Sequence, residues 1–119
     1  MIEKSNIISE RLLNFGVNIL QTASKLNINQ VGRNIANQLM RSGTSAGANY
    51  KEACGAESKA DFIHKMQLVL KELRESLYWL KLVNKANLIS KIKIEPLLDE
   101  AEELVKIVAK SVITAKKRK

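Results

Sequence analysis

The chain has 119 residues, the size of one ordinary domain, and its 45% hydrophobic and 27% charged side chains suit a packed core and exclude a disordered chain. Five Gly, one Pro and 4% aromatic residues exclude a sandwich or barrel, which needs a turn signal every ~8–12 residues, so the composition is that of an all-helical protein. Twenty Lys and Arg against twelve Asp and Glu leave +8, which makes polyanions the plausible partners.

Ile8, Leu12, Phe15, Ile19, Ala23 and Leu26 step by three and four, and so predict a first helix from about Ser5 to Leu26 with one apolar face. The Asn-rich link Asn27-Ile28-Asn29-Gln30 follows. A second helix runs from about Val31 to Cys54, with Val31, Ile35 and Leu39 as its apolar row and Gly55 as its stop. Ser58, three residues before Asp61, forms a capping box for a third helix over Lys59 to Ala86. Phe62, Met66, Val69, Leu73, Leu77 and Leu80 make its main face. A second row, Leu68, Glu72, Glu75, Trp79 and Leu82, points elsewhere, and one bundle core cannot bury both, so this row is a candidate oligomer interface. Asn87 ends the helix. Pro96 is placed in the first turn of a fourth helix, where its missing N–H costs little, and Leu97, Ala101, Leu104 and Val108 face inward with Leu98, Val105 and Val112 beside them. Four amphipathic helices on short links predict an up-down-up-down antiparallel four-helix bundle, with residues 1–115 as its single domain and 116–119 as a basic tail.

The lone Cys54 cannot form an internal disulfide, no apolar run approaches the ~18 residues of a membrane span, and the N-terminal residues carry no signal-peptide core. A cytoplasmic protein with no membrane association is expected.

The stretch Arg41 to Asn49 contains Gly43 and Gly47, each costing a helix interior about 1 kcal/mol relative to Ala. A tight helix crossing, within the bundle or between subunits, would offset that cost. Gln38, Ser42, Ser45, Asn49 and Glu52 form a polar stripe on the same helix, and with Arg41 they are expected to make a hydrogen-bonded, ion-paired seam. No lysine follows the glycines as a phosphate loop requires. Cys54 and His64 are the chain's only cysteine and histidine, and the carboxylates Glu72, Glu75, Glu102 and Glu103 are interleaved with cations, so neither a metal site, a cofactor nor an acid-base pair is expected. The reading is therefore non-enzymatic. Lys51, Lys59, Lys65, Lys71 and Arg74, together with the terminal Lys116, Lys117, Arg118 and Lys119 that hold half the net charge, are the candidate nucleic-acid contacts. Aromatic residues are scarce, which argues against sequence-specific reading of single strands.

The strings QLMRSGTSAGANYKEA and SKADFIHKMQLVLKELRESLYWLKL resemble the small bacterial four-helix-bundle proteins encoded in intervening sequences of 23S ribosomal RNA genes. Gln38, Leu39, Arg41, Ser42, Ser45, Asn49 and Glu52 match the family's helix 2 core, and Lys59, Asp61, Phe62, Lys71, Glu72, Glu75, Ser76 and Leu80 match helix 3. Gly43, Gly47 and Ala53-Cys54-Gly55 depart from the pattern. The resemblance implies a ring-like homopentamer without enzymatic activity. The chain is similar also to the accessory variability protein of diversity-generating retroelements, which implies by analogy a nucleic-acid partner, RNA or DNA, and a protein partner such as a reverse transcriptase. An oligomeric adaptor bound to nucleic-acid backbones is the function expected, with a purely structural assembly protein as the alternative.

Overall fold

The computed structural model describes residues 2–118 and contains four helices, α1 (Ile2–Leu26), α2 (Gln30–Cys54), α3 (Lys59–Lys85) and α4 (Lys91–Lys117), with no strand among the described residues. Each helix packs on its chain neighbours, α4 closes back on α1, and the diagonal pairs meet only through core side chains without close backbone approach, which is the square arrangement of an up-down-up-down four-helix bundle. Its extents of 49 × 23 × 21 Å are those of a rod somewhat longer than its 27-residue helices, which span about 40 Å each.

The links explain where each helix stops. Asn29 caps α2 by accepting from the Gly32 N–H at 2.8 Å, and Ser58 caps α3 by accepting from the Asp61 N–H at 3.1 Å. A Cβ at position 32 would lie 1.9 Å from the Leu26 carbonyl oxygen, so the tight α1–α2 turn admits only glycine there. At the end of α3, Asn87 takes φ 57°, and the N–H groups of Asn87 and Leu88 return to the carbonyls of Asn84 and Val83. This closing motif satisfies carbonyls that the helix itself leaves free.

The α1 row from Ile8 to Leu26 is buried throughout and meets Met66, Val69, Leu73 and Leu80 of α3 and Ile94, Leu97, Ala101, Leu104 and Val108 of α4 in one core. Two expectations are corrected. Pro96 is the sixth residue of α4 and not in its first turn, since the helix begins at Lys91 behind Ser90. The carbonyl that loses its partner to the proline belongs to Ile92, a residue at the open surface, where water can serve it. In α2, Val31 is exposed, and the inward row is Gly32, Ala36, Leu39, Gly43, Ala46, Tyr50 and Ala53. Small residues make up most of that row because α1 approaches closely: a Cβ on Gly43 would sit 2.7 Å from the Ile19 side chain.

Candidate nucleic-acid interface

The α2–α3 seam is built first, since it sets how α3 is rotated. Ser42 and Ser76 are both fully buried; Ser42 Oγ donates to the Gln38 carbonyl at 3.0 Å. Ser76 Oγ lies 2.9 Å from both Ser42 Oγ and the Glu72 carbonyl, and its single proton can serve either. At the rim of the seam, Arg41 reaches across to Glu72 at 3.4 Å and hydrogen-bonds Glu75, while Trp79 Nε1 donates to Glu75 at 3.1 Å. The Arg41 hydrogen bond, followed by that from Trp79, holds the Glu75 carboxyl below the usual carboxylate range, and the same pairing raises Arg41. Gln38 is exposed and accepts weakly from Arg41 at 3.4 Å. Ser45 and Asn49 are half-buried and Glu52 is exposed, and none of the three makes a side-chain hydrogen bond among the described residues.

This pairing turns Glu72 and Glu75 toward α2. Asp61, the remaining acid of α3, is taken by Lys65 at 3.5 Å. The adjoining side of α3 carries cations, with Glu75 at its border. Lys71, Arg74, Tyr78, Lys81 and Lys85, spaced by three and four, are all exposed within a sector of ~80° and along ~21 Å of helix. None of the four cations forms an ion pair among the described residues. Lys71 lies close enough to Glu75 to help lower its pKa.

Of the residues singled out by charge, the structure brings Lys71 and Arg74 together on this face. Lys59 is exposed at the start of α3, Lys65 is turned to Asp61, and Lys51 lies at the last turn of α2 beside a groove against α1. Lys116 and Lys117 end α4, Arg118 follows, and Lys119 lies outside the described residues. Lys81, Lys85 and Tyr78 were missed, although their spacing from Lys71 and Arg74 was a readable signal. Of the expected interface row, Leu68 and Trp79 are half-buried and Leu82 is exposed, while its two carboxylates are engaged within the chain by Arg41. A different apolar set is more open: Leu13, Val17 and Leu20 of α1 line a groove of about 560 Å³ floored by Gly16, Gly47 and Ala48.

Elsewhere, α1 and α4 are spanned by the bidentate Arg11–Glu100 pair, beside a cavity of about 340 Å³ bordered by Lys25 and Lys93. Cys54 is exposed with its Sγ 3.0 Å from Ser5 Oγ, and His64 is exposed on α3. Burial raises the Tyr50 hydroxyl, a hydrogen bond with Ser5 opposes the rise, and Cys54 adds to it. No group of three or more His, Cys, Asp or Glu is placed to hold a metal among the described residues, and no helix of theirs is long and apolar enough to cross a membrane.

The model of the 23S rRNA-intervening sequence protein family matches residues 4–110. The chain belongs to this family. A similar solved structure is that of a protein of unknown function from the S23 ribosomal protein family of Bacteroides thetaiotaomicron, with 35% identity and a TM-score of 0.84. The alignment covers 92% of this chain and 97% of that one, so the family's fold extends over almost the whole chain. No curated protein matches it. The family match covers the Arg41–Glu75 seam and the whole cationic face of α3, and stops short of the basic tail.

Proposed function

We propose that this family member is a non-enzymatic, oligomeric adaptor that binds nucleic-acid backbones through its cations. The observation that carries this reading is the α3 face, where Lys71, Arg74, Lys81 and Lys85 are exposed together and the acids of the helix are paired with Arg41 and Lys65 outside the row. Four lysine and arginine side chains along one helix suit phosphates, and the chain has no recognised base-reading module. Self-assembly is supported by the open apolar groove on α1, which a lone bundle leaves facing water. A ring of copies, with the pentamer that the resemblance implies, would repeat the α3 face around its circumference. The basic tail adds cations whose reach does not depend on the fold.

Titration of labelled RNA and DNA across a salt series tests the reading. Affinity is expected to fall steeply as salt rises. Deleting residues 116–119 should weaken all sequences alike and shallow the slope of log affinity against log salt by ~0.7–0.9 for each phosphate no longer neutralised, with residual binding from the bundle. Should the full chain bind neither RNA nor DNA at low salt, the adaptor reading falls and an assembly protein takes its place. Light scattering of the native chain and of Leu13→Lys with Leu20→Lys tests the oligomer: a native particle several times the 13.3 kDa monomer is expected, reduced by the substitutions.

A further inference from the structure

Tyr78 sits in the middle of the cationic row and is not used by the bundle. Its side chain is 59% exposed, between Arg74 one turn before it and Lys81 one turn after. Its ring is braced edge-to-face by Trp79, with centroids 5.1 Å apart and planes at 76°. Trp79 in turn is anchored by its hydrogen bond to Glu75, which Arg41 holds from α2. The tyrosine is therefore a large aromatic surface, presented to solvent and positioned from behind, in a track of four exposed cations whose one bordering acid, Glu75, is paired with Arg41. Burial does not explain it, because most of it is not buried. Nor does hydrogen bonding, since its hydroxyl has no partner among the described residues.

We propose that this face takes a single-stranded polynucleotide, with a base stacked on Tyr78 and the flanking phosphates on Lys71, Arg74, Lys81 and Lys85. The proposal rests on the backbone-binding reading above and specifies its substrate. A duplex keeps its base faces inside the stack and offers Tyr78 nothing to cover. A single strand can turn a base outward while its backbone follows the cations, and a cationic track with an interleaved aromatic is the combination that single-strand binders use. Every base has a π-face, so the surface selects strandedness and not sequence, which agrees with the scarcity of aromatic residues elsewhere. Phosphates and stacked bases are common to RNA and DNA, and both strands should bind alike.

The test measures anisotropy of labelled RNA and DNA strands of mixed sequence, about 12 nucleotides long, and of the matching duplex, at one moderate salt concentration. Single strands are expected to bind roughly tenfold more tightly than the duplex. Tyr78→Ala should remove that advantage and leave duplex binding unchanged, and Tyr78→Phe should keep it, because stacking needs the ring and not the hydroxyl. Trp79 is the only tryptophan, so its emission should change when a single strand is added and stay constant with duplex. Lys81→Glu with Lys85→Glu should weaken single-strand binding more than deletion of residues 116–119. Equal affinity for single strand and duplex, with Tyr78→Ala silent, would overturn this inference while leaving backbone binding intact. Binding that follows the tail and ignores Lys81 and Lys85 would overturn the placement on α3. An affinity confined to RNA would overturn the phosphate-and-stacking account, since the 2′-hydroxyl would then be read. No binding of any polynucleotide at low salt would end both this inference and the reading beneath it.

Discussion

The two sides of α2 are held by different physics. Toward α1 the packing around Gly43 is apolar and shape-driven: Gly43 is there because Ile19 occupies the space a side chain would need. Toward α3 the seam is polar, with Ser42 and Ser76 buried as a hydroxyl pair and Arg41 clamping Glu72 and Glu75 at the rim. The difference teaches what each seam restricts: spacing toward α1 and rotation toward α3. Close packing of backbones tolerates little change in volume. On the polar side, donors and acceptors match in one rotation of α3, and that rotation presents Lys71, Arg74, Tyr78, Lys81 and Lys85 outward together.

The sharpest way to break the comparison is Gly43→Val. A branched side chain built into the space of Ile19 should cost about 3 kcal/mol by overpacking, read as a lower urea midpoint. If the midpoint stays where it is, the α1–α2 packing is looser than its geometry. On the polar side, Ser42→Ala or Ser76→Ala alone should cost about 1 kcal/mol, because each removes the bond between the two hydroxyls while the remaining one keeps its backbone carbonyl. The double variant should cost clearly less than the two losses added together, and strict additivity in a double-mutant cycle would show that the hydroxyls do not act as a pair. Gly47→Ala should go the other way and stabilise by up to about 1 kcal/mol. Its Cβ would meet Leu12 at an ordinary 3.6 Å, and alanine is the better helix former. Opposite signs at Gly43 and Gly47, one turn apart on α2, would separate a required glycine from a tolerated one.

The smallest effect belongs to the surface clamp. Glu75 has its folded pKa lowered, by the Arg41 hydrogen bond first and the Trp79 hydrogen bond second. Its contribution to stability is therefore present above the unfolded carboxylate value of ~4.3 and is lost as pH falls through the lower folded value. Arg41→Gln should lower stability slightly at neutral pH, as expected for an exposed pair, and the difference from the native chain should disappear below the folded value, so that the loss on acidification narrows. Urea melts of both proteins across the acid range would show it. Parallel pH profiles would mean that the clamp orients α3 without favouring the folded state.

How much was legible follows from the kind of signal each region carries. In α1, large apolar residues recur at three and four, and all of Ile8, Leu12, Phe15, Ile19, Ala23 and Leu26 are buried as their spacing requires. Ser58 and Asp61 form the cap their spacing announces, and Asn87 closes α3. In α2 the inward row of Gly32, Ala36, Gly43, Ala46 and Ala53 is made of residues that hydropathy hardly distinguishes from surface, and Val31 and Ile35 drew attention to the wrong angle. Pro96 suggested a start for α4, while the start was set five residues earlier by the turn at Asn87 to Ser90. The cationic face was half visible. Lys71 and Arg74 stood out by charge, yet Lys51, Lys59 and Lys65 do not share their direction, while Lys81, Lys85 and Tyr78 do.

The sequence by itself determined the class, the number of helices, their links and the positive charge, because periodicity, caps and composition act over one or two turns and need no partner. Only the tertiary structure decided which glycine is indispensable, which acids are neutralised and which cations stand together. Those properties depend on the distance and rotation between helices, set by side chains far apart in the chain: Ile19 against Gly43, Ser42 against Ser76, and Arg41 against Glu72 and Glu75.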